Sequence, residues 1–408
     1  MKLQTKGQAF NLFTFFCLYI AQSIPLSFFS AEIPILMRQE KFSLSAIALS
    51  NLIRLPFLIK FVWSPFVDKY TRELPNYKRF ILVSELIYAI FILIAAVFDF
   101  RQDFLTVIFL IMFAFIASAT QVIATDALAA RSFDHQNKSM VNSMKSMGGF
   151  AGAIVGAGVL LLLFTKIGWH YILPCLSLIL MLVLIPLLLN KNIKVEPRKK
   201  QVKVKKADMI YFFTQKGISK QIIFLILYYA GLAGIFGMLK PFLVDCGYSM
   251  KQIGLMDGLF GSVCGLVASF CGGHIIRKMG RHQAQMIFAA IILIITLYFV
   301  VLSYIPVCTP LIYLGIALLW SGCGMASIVV YTMAMDCVRP GREGTDITVQ
   351  IVIMHASGMI LTILLGKLAD ISNYSGMFIA ESSLALISLL YVRFGMKNYR
   401  LKEISQDK

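Results

Sequence analysis

Charged side chains are scarce in this chain. Only 14% of its 408 residues are Asp, Glu, Lys or Arg, whereas 59% are hydrophobic. In soluble globular proteins about a quarter of the residues are charged and about half are apolar. The composition therefore excludes an ordinary soluble domain and indicates a protein embedded in a membrane.

Acids are scarcer than bases, with 20 Asp and Glu against 38 Lys and Arg, and the net charge is +18. This excess does not indicate nucleic-acid binding, because the cations are confined to particular loops, as in proteins that orient themselves in a membrane. The eight cysteines form no CxxC pair and no Cys/His metal spacing, so we predict neither a metal nor another cofactor. Most of them resemble small buried hydrophobes. Cys246 and Cys308 fall in predicted outer turns and could pair.

Processing and catalytic signals are also missing. Two lysines precede the first apolar run, but that run lacks a small-x-small cleavage site and is long enough to span a membrane. No nucleophile triad, phosphate loop or nucleotide-binding signature stands out. We therefore predict neither a cleaved signal peptide nor an enzyme.

What the chain has instead is a series of long apolar runs. A helix needs about 20 apolar residues to cross the hydrocarbon core of a bilayer, and about twelve runs meet that length. The predicted spans are residues 10–36, 44–67, 79–98, 104–125, 141–164, 171–189, 222–244, 253–276, 284–304, 311–332, 348–368 and 376–394. Gln, Ser and Pro interrupt the first span at residues 22–25, where we expect either a break that leaves backbone carbonyls facing the transport path or a simple proline kink.

Lysine and arginine gather in alternate turns. The turns after the second, fourth and eighth spans, the stretch after the sixth and the C-terminal tail are basic, and the turns between them carry few cations. Because positive loops stay in the cytoplasm, we predict that both termini lie on the cytoplasmic side of the membrane. The basic linker, residues 191–220, is expected to be flexible and to rest on anionic lipid headgroups, with a specific lipid site as the alternative.

The two halves of the chain look like copies. Asp126 lies 210 residues before Asp336, and the segment 144–148 lies 210 residues before the segment 354–358. This pattern predicts an all-α membrane protein with two parallel six-helix repeats, residues 1–190 and 221–408, as in major facilitator transporters.

Two turns resemble the signature turn of the major facilitator superfamily, Gly-x3-Asp-(Arg/Lys)-x-Gly-Arg. The turn after the eighth span keeps the glycines and cations but has Arg277 at the acidic position, whereas the turn after the second span keeps the acid and lacks the glycines. The matching residues are Asp68, Lys69 and Arg72 in the first half and Gly273, Lys278, Gly280 and Arg281 in the second.

The stretch LPFLIKFVWSPFVDKY, residues 55–70, is similar to the second-helix signature of the muropeptide permease branch, the AmpG-like proteins. The acetyl-coenzyme A transporters share part of it. Residues 23–26 and 125–127 fit the same branch. The superfamily resemblance covers the whole chain, and the branch resemblance covers only its first third. The resemblance implies proton-driven import of a peptidoglycan fragment, and we expect the transporter to be a monomer.

Arg54 lies inside the predicted second span with apolar residues on both sides. A cation buried in a bilayer is costly unless it faces a cavity or a partner. A guanidinium offers a planar fork that matches a carboxylate or phosphate, so Arg54 is our first candidate for contact with an anionic substrate. The alternative is an internal pair with an acid such as Asp257. Gln22, Gln121 and Tyr229 complete the predicted substrate-binding set.

Ions of both signs lie nearer the predicted cytoplasmic ends of the spans. They are Lys60, Glu85, Asp126, Lys145, Asp336 and His355. We predict that they pair across helices as a gate or stabilising network, with direct substrate contact and snorkelling as alternatives. Proton coupling needs an acid or a histidine whose pKa changes with conformation. Asp126 leads because it ends a predicted cavity-lining helix. The other candidates are Glu85, Asp257 and His355.

The leading hypothesis is a secondary transporter that takes up a small anionic solute with protons by alternating access. Export of a drug or metabolite is the alternative within transport. A third hypothesis, from another class, is a membrane-embedded assembly protein without flux.

Overall fold

The computed structural model describes residues 6–41, 50–195, 204–205, 207–306 and 308–396. These residues are almost entirely helical, and none of them lies in a strand, which confirms the predicted all-α fold. Within these ranges, nine helices are long and apolar enough to cross a membrane. One of the nine holds two spans, and the third span and a broken second span complete a set of twelve.

The spans have the following bounds. The first is Lys6–Gln39, the third Leu74–Ala95, the fourth Phe104–Ser132, the fifth Lys138–Ile167, the sixth Trp169–Leu189 and the seventh Ile218–Asp245. The eighth is Lys251–Met279, the ninth Arg281–Leu302 and the tenth Thr309–Asp336. Glu343–Leu390 contains the eleventh and twelfth spans, which meet at Asn373, where φ is +60°. With ψ at 179°, this residue is not helical, so the two spans are separate helices.

The first span is one continuous helix, so the predicted break at residues 22–25 is wrong. Pro25 removes one N–H from the helical ladder, but membrane helices tolerate proline when neighbouring groups satisfy the freed carbonyl. The freed carbonyl is that of Ala21, four residues before Pro25.

The second span is broken instead, although its sequence predicts a single helix. It consists of Ser50–Arg54, Leu55–Ile59, Lys60–Val62 and Ser64–Tyr70, of which the first and third are 3₁₀ turns. Pro56 and Pro65 each stand at the start of a short α-helical piece, where the missing proline N–H costs least. The predicted beginning of this span, residues 44–49, lies outside the described residues.

The described residues group into two compact units. The first comprises those of Met1–Asp134, Gly148–Met209 and Arg339–Thr348, and the second those of His135–Met147, Ile210–Val338 and Val349–Lys408. Each unit has its own hydrophobic core, with Phe28, Phe115 and Leu176 in the first and Phe224, Phe299 and Phe378 in the second. The start of the fifth span belongs to the second unit, and the start of the eleventh span belongs to the first. The predicted boundaries 1–190 and 221–408 stay a prediction.

The fifth span approaches the first span closely through glycines. A Cβ added at Gly152 would lie 2.9 Å from the Ser23 carbonyl carbon, and one at Gly156 would lie 3.0 Å from the Phe28 nitrogen. A Cβ at Gly149, about one turn before Gly152, would meet no atom within 4 Å. Small residues therefore let the two backbones touch, as is typical of membrane helix pairs.

Candidate substrate-path and gate residues

Arg54 ends the first 3₁₀ turn of the second span, and its side chain is exposed. Its Nε donates to the Ser30 hydroxyl at 2.8 Å. Among the described residues, no acid forms an ion pair with the guanidinium. Asp257, the predicted alternative partner, instead contacts Lys240 and Trp320.

The other predicted substrate-binding residues make internal contacts. Gln22 is half-buried on the first span. Gln121 is buried on the fourth span and donates to the Leu18 carbonyl oxygen at 3.4 Å. The Tyr229 hydroxyl lies 2.9 Å from the Cys323 sulfur and 3.1 Å from the Ser327 hydroxyl. Their roles in substrate binding remain predictions.

Glu85 lies deeper than the sequence suggested. The third span begins at Leu74 and ends at Ala95, so Glu85 stands halfway along it rather than near its basic end. Its side chain is fully buried, and neither carboxyl oxygen has a hydrogen-bond partner among the described residues. Lys60 is also buried and belongs to the second 3₁₀ turn of the second span.

Asp126 is inside the fourth span and not at its end, because that helix continues for six residues to Ser132. Its Oδ1 accepts a hydrogen bond of 2.9 Å from the Tyr19 hydroxyl of the first span. Asp126 is almost completely buried. A polar contact thus joins two helices of the first unit at this level.

Asp336, the repeat equivalent of Asp126, contacts several basic side chains within the second unit. It is the last residue of the tenth span and is 2% exposed. Its carboxylate lies 3.3 Å from Lys138 Nζ and 3.0 Å from Arg281 Nε, and His135 Nε2 lies 3.4 Å away. A buried carboxylate with such partners avoids most of the cost of its burial. Arg281 of the signature turn therefore has a defined electrostatic role.

A polar face on the fifth span, which the sequence reading missed, packs in the second unit. Ser143 donates to the Ser269 carbonyl oxygen at 2.6 Å, and the Ser146 and Ser269 hydroxyls lie 2.8 Å apart. A Cβ added at Gly273 would lie 2.8 Å from the Ser139 carbonyl oxygen. The glycine of the signature turn thus permits a close helix approach. The serine spacing of three and four residues was the available signal.

Asp68 holds the start of the eleventh span within the first unit. Its carboxylate is fully buried and accepts hydrogen bonds from the Gly344 N–H at 2.9 Å, the Thr345 N–H at 2.7 Å and the Thr345 hydroxyl at 2.6 Å. The first N–H groups of a helix lack partners inside the helix, and its N-terminus favours negative charge. Asp68 therefore serves as a helix cap supplied from 276 residues away.

The remaining signature residues shape their turns. Arg72 Nε donates to the Lys69 carbonyl oxygen at 3.2 Å, and the Arg131 guanidinium donates to the Arg72 carbonyl oxygen at 2.7 Å. Gly280 separates the eighth and ninth spans with φ of +87°, a conformation that glycine adopts without strain. The Lys278 side chain is exposed.

The last part of the linker is anchored in the first unit. Arg342 Nε lies 2.8 Å from Asp208 Oδ1, and Arg339 donates to the Asp208 carbonyl oxygen at 2.7 Å. Arg339 also forms a two-pronged contact with the Asp346 carboxylate at 2.6 and 2.9 Å. The basic linker residues 196–203 and 206 and the tail 397–408 lie outside the described residues, so lipid contact there stays a prediction.

Three further residues that the sequence predicted for the gate or for proton coupling lie in the second unit. The Lys145 ammonium lies 4.5 Å from the centre of the Tyr331 ring. Asp257 lies on a π-helical turn of the eighth span. His355 lies in the eleventh span, and its side chain is exposed.

Cys246 and Cys308 are free thiols, so the disulfide considered between them does not form. The described residues contain no group of His, Cys, Asp and Glu that could hold a metal ion.

Comparisons with known proteins agree with this architecture. The sequence profile of the Major Facilitator Superfamily matches residues 12–359. A Rickettsia felis protein with the name AmpG 4 is 23% identical over 94% of this chain and 96% of its own length. The anhydromuropeptide permease of Escherichia coli K12 is 22% identical over 66% of this chain and 56% of its own length. The predicted resemblance to the AmpG-like branch is thereby confirmed.

Solved structures show the same fold. The proton:xylose symporter XylE, solved with a bromo-deoxy-glucose, superposes with a TM-score of 0.70 and 11% identity over 95% of this chain and 96% of that chain. A bacterial homologue of the iron transporter ferroportin gives a TM-score of 0.70 and 14% identity over 94% of this chain and 98% of that chain.

Proposed function

Because the chain belongs to the Major Facilitator Superfamily, we propose that it imports peptidoglycan-derived muropeptides with protons across a bacterial inner membrane by alternating access. The chain is a multi-pass membrane transporter and not an enzyme. The substrate class is supported by relatives, one of which has the name anhydromuropeptide permease.

Arg54 carries the proposal within the molecule. Its side chain is exposed, one nitrogen is held by Ser30, and no acid neutralises it among the described residues. Muropeptides bear carboxylates, and a guanidinium binds a carboxylate through two parallel hydrogen bonds. The first unit therefore offers the substrate a positive group whose position is fixed by a neighbouring helix.

Proton coupling and orientation are parts of the same proposal. Asp126 and Glu85 are buried acids of the first unit, and they remain candidates for the proton site together with Asp257 and His355. The distribution of basic turns supports cytoplasmic termini, and the linker is proposed to lie against anionic lipid. The unit that performs transport is proposed to be the monomer.

Uptake of a labelled anhydromuropeptide into proteoliposomes tests the proposal. An imposed inward proton gradient should drive accumulation, and Arg54→Ala should lower uptake at least tenfold, since a lost hydrogen bond to a charged group costs about 1.5–3 kcal/mol. Arg54→Lys should fall between, because lysine keeps the charge but not the fork. Arg101→Ala is the matched control, since Arg101 is a cation of an exposed turn paired with Glu40.

Three results would contradict the proposal. Accumulation that does not depend on the proton gradient would contradict proton coupling. Uptake that is unchanged in Arg54→Ala would show that the guanidinium does not contact the substrate. Flux of other solutes in the opposite orientation, without muropeptide uptake, would favour export.

A further inference from the structure

Three side chains from three helices meet in the second unit. The Trp320 indole N–H of the tenth span donates to Asp257 Oδ1 of the eighth span at 2.8 Å. The other carboxyl oxygen, Oδ2, lies 3.9 Å from the Lys240 ammonium of the seventh span. Asp257 is 9% exposed and Lys240 is 72% exposed. A buried, oriented carboxylate thus stands beside an accessible ammonium.

The backbone around Asp257 is arranged for this contact. Asp257 lies on the π-helical turn Gly254–Gly261, and such turns occur frequently at functional sites. Gly261 receives the indole ring of Trp320, because an added Cβ would lie 2.9 Å from its Cε2 atom. A Cβ at Gly258, next to Asp257, would meet no atom within 4 Å. The turn therefore fixes the indole on one side of the carboxylate.

The distance between Lys240 and Asp257 indicates which ligand group could bridge them. A distance of 3.9 Å is too long for a direct hydrogen bond. A hydroxyl group placed between the two could accept from the ammonium and donate to the carboxylate, because a hydroxyl is both donor and acceptor. A pair of this kind selects a ligand with hydroxyl groups over one that carries only anionic oxygens.

Aromatic rings border the same place. The Phe236 ring lies 5.2 Å from the Trp320 ring at an angle of 82°, and Phe236 is one helical turn from Lys240 on the seventh span. Both rings are half-buried. Aromatic walls with a few oriented polar groups are the usual lining of a small-molecule site. A sugar ring is a hydroxyl-rich ligand whose C–H face packs against such walls.

We propose that Lys240, Asp257 and Trp320 form a subsite for a saccharide ring. The inference rests on the proposed function, because a muropeptide joins saccharide rings to a peptide. It assigns the sugar part to the second unit. Asp257 accepts from a sugar hydroxyl, Lys240 donates to a hydroxyl or acyl oxygen, and the rings of Trp320 and Phe236 take the apolar face.

Equilibrium binding to the purified full-length protein in detergent tests the subsite without any transport. The probes are the disaccharide of N-acetylglucosamine and anhydro-N-acetylmuramic acid, and separately the free stem peptide. Tryptophan emission reports binding, and Trp320→Phe identifies the part of the signal that comes from Trp320, one of three tryptophans. The disaccharide should change the Trp320 emission saturably, and the stem peptide should not.

Two variants and a control decide the assignment. Asp257→Asn and Lys240→Gln should each weaken disaccharide binding tenfold or more. Lys251→Gln should leave it unchanged, because Lys251 is an exposed lysine that forms no ion pair with any described acid. Lys240 is itself largely exposed, so Lys240→Gln tests the subsite even if Asp257→Asn fails to fold.

The inference is overturned if the disaccharide gives no saturable Trp320 signal, if Lys240→Gln binds it as the wild type does, or if the stem peptide alone reproduces the change. If the protein binds the disaccharide through these residues but does not accumulate muropeptide, the subsite is supported and the proposed function is contradicted. If Lys240→Gln and Asp257→Asn leave muropeptide accumulation unchanged, the proposed function is supported and the subsite is contradicted.

Discussion

Replacing Thr345 with valine tests how firmly Asp68 holds the start of the eleventh span. Valine keeps the shape of threonine but lacks the hydroxyl that reaches the carboxylate at 2.6 Å. A hydrogen bond to a charged group contributes about 1.5–3 kcal/mol. Since ~1.4 kcal/mol is a factor of ten in an equilibrium constant, the population in which this contact is open should rise about tenfold to hundredfold.

Hydrogen exchange of the peptide that covers residues 339–348 measures this opening directly. The Gly344 and Thr345 amides are themselves donors to Asp68, so they exchange only after the contact opens. The exchange of these two amides in Thr345→Val should be about tenfold to hundredfold faster. Thr345→Ser keeps a hydroxyl and is the matched control. Asp68→Asn should accelerate exchange more, because it replaces an acceptor of three hydrogen bonds with an amide that has one acceptor oxygen.

Exchange of Thr345→Val at the wild-type rate would refute this reasoning. It would mean that the hydroxyl contact contributes nothing to the stability of the helix start, and that Asp68 acts through the backbone N–H groups alone. A Thr345→Ser variant that exchanges as fast as Thr345→Val would refute it as well, because the loss would then not depend on the hydroxyl.

Three further variants test other contacts. Gly152→Ala should lower the melting temperature in detergent, because overpacking costs about 1–3 kcal/mol, whereas Gly149→Ala should not; equal melting of the two would contradict the close approach to the first span. Asp336→Asn should lower it further, because removing one partner of a buried ion cluster costs about 3–5 kcal/mol, and a wild-type melting temperature would argue against the cluster. Asp208→Asn should free Arg342, so tryptic cleavage after Arg342 should become severalfold faster; an unchanged rate would contradict the anchoring of the linker.

The fold could be predicted from the sequence because its main signal is local. Apolar runs of membrane length and their spacing depend only on neighbouring residues, and the 210-residue offset between Asp126 and Asp336 revealed the repeat. Helix continuity was less predictable. Pro25 leaves the first span intact while Pro56 and Pro65 interrupt the second, and this difference depends on packing that the sequence does not display. The depth of Glu85 was wrong for a related reason, since the third span begins five residues earlier than its apolar run.

The candidate site could be predicted only in part. The signature turn pointed to Asp68 as an acid with a function, but its partner Thr345 is 277 residues away in the chain. Asp336 was found through the repeat, whereas nothing in the local sequence marks Lys138 as its partner. Trp320 was missed because a tryptophan in an apolar run resembles any core aromatic. Its hydrogen bond to Asp257 distinguishes it.

Asp68 and Arg277 occupy corresponding positions in the two copies of the signature turn, and their chemistry is opposite. A carboxylate can only receive hydrogen bonds, and a guanidinium can only give them. The second copy therefore has no means of holding a helix start as the first copy does. An arginine in the place of Asp68 would set a donor against the Gly344 and Thr345 donors, so the second copy of the turn cannot replace the first.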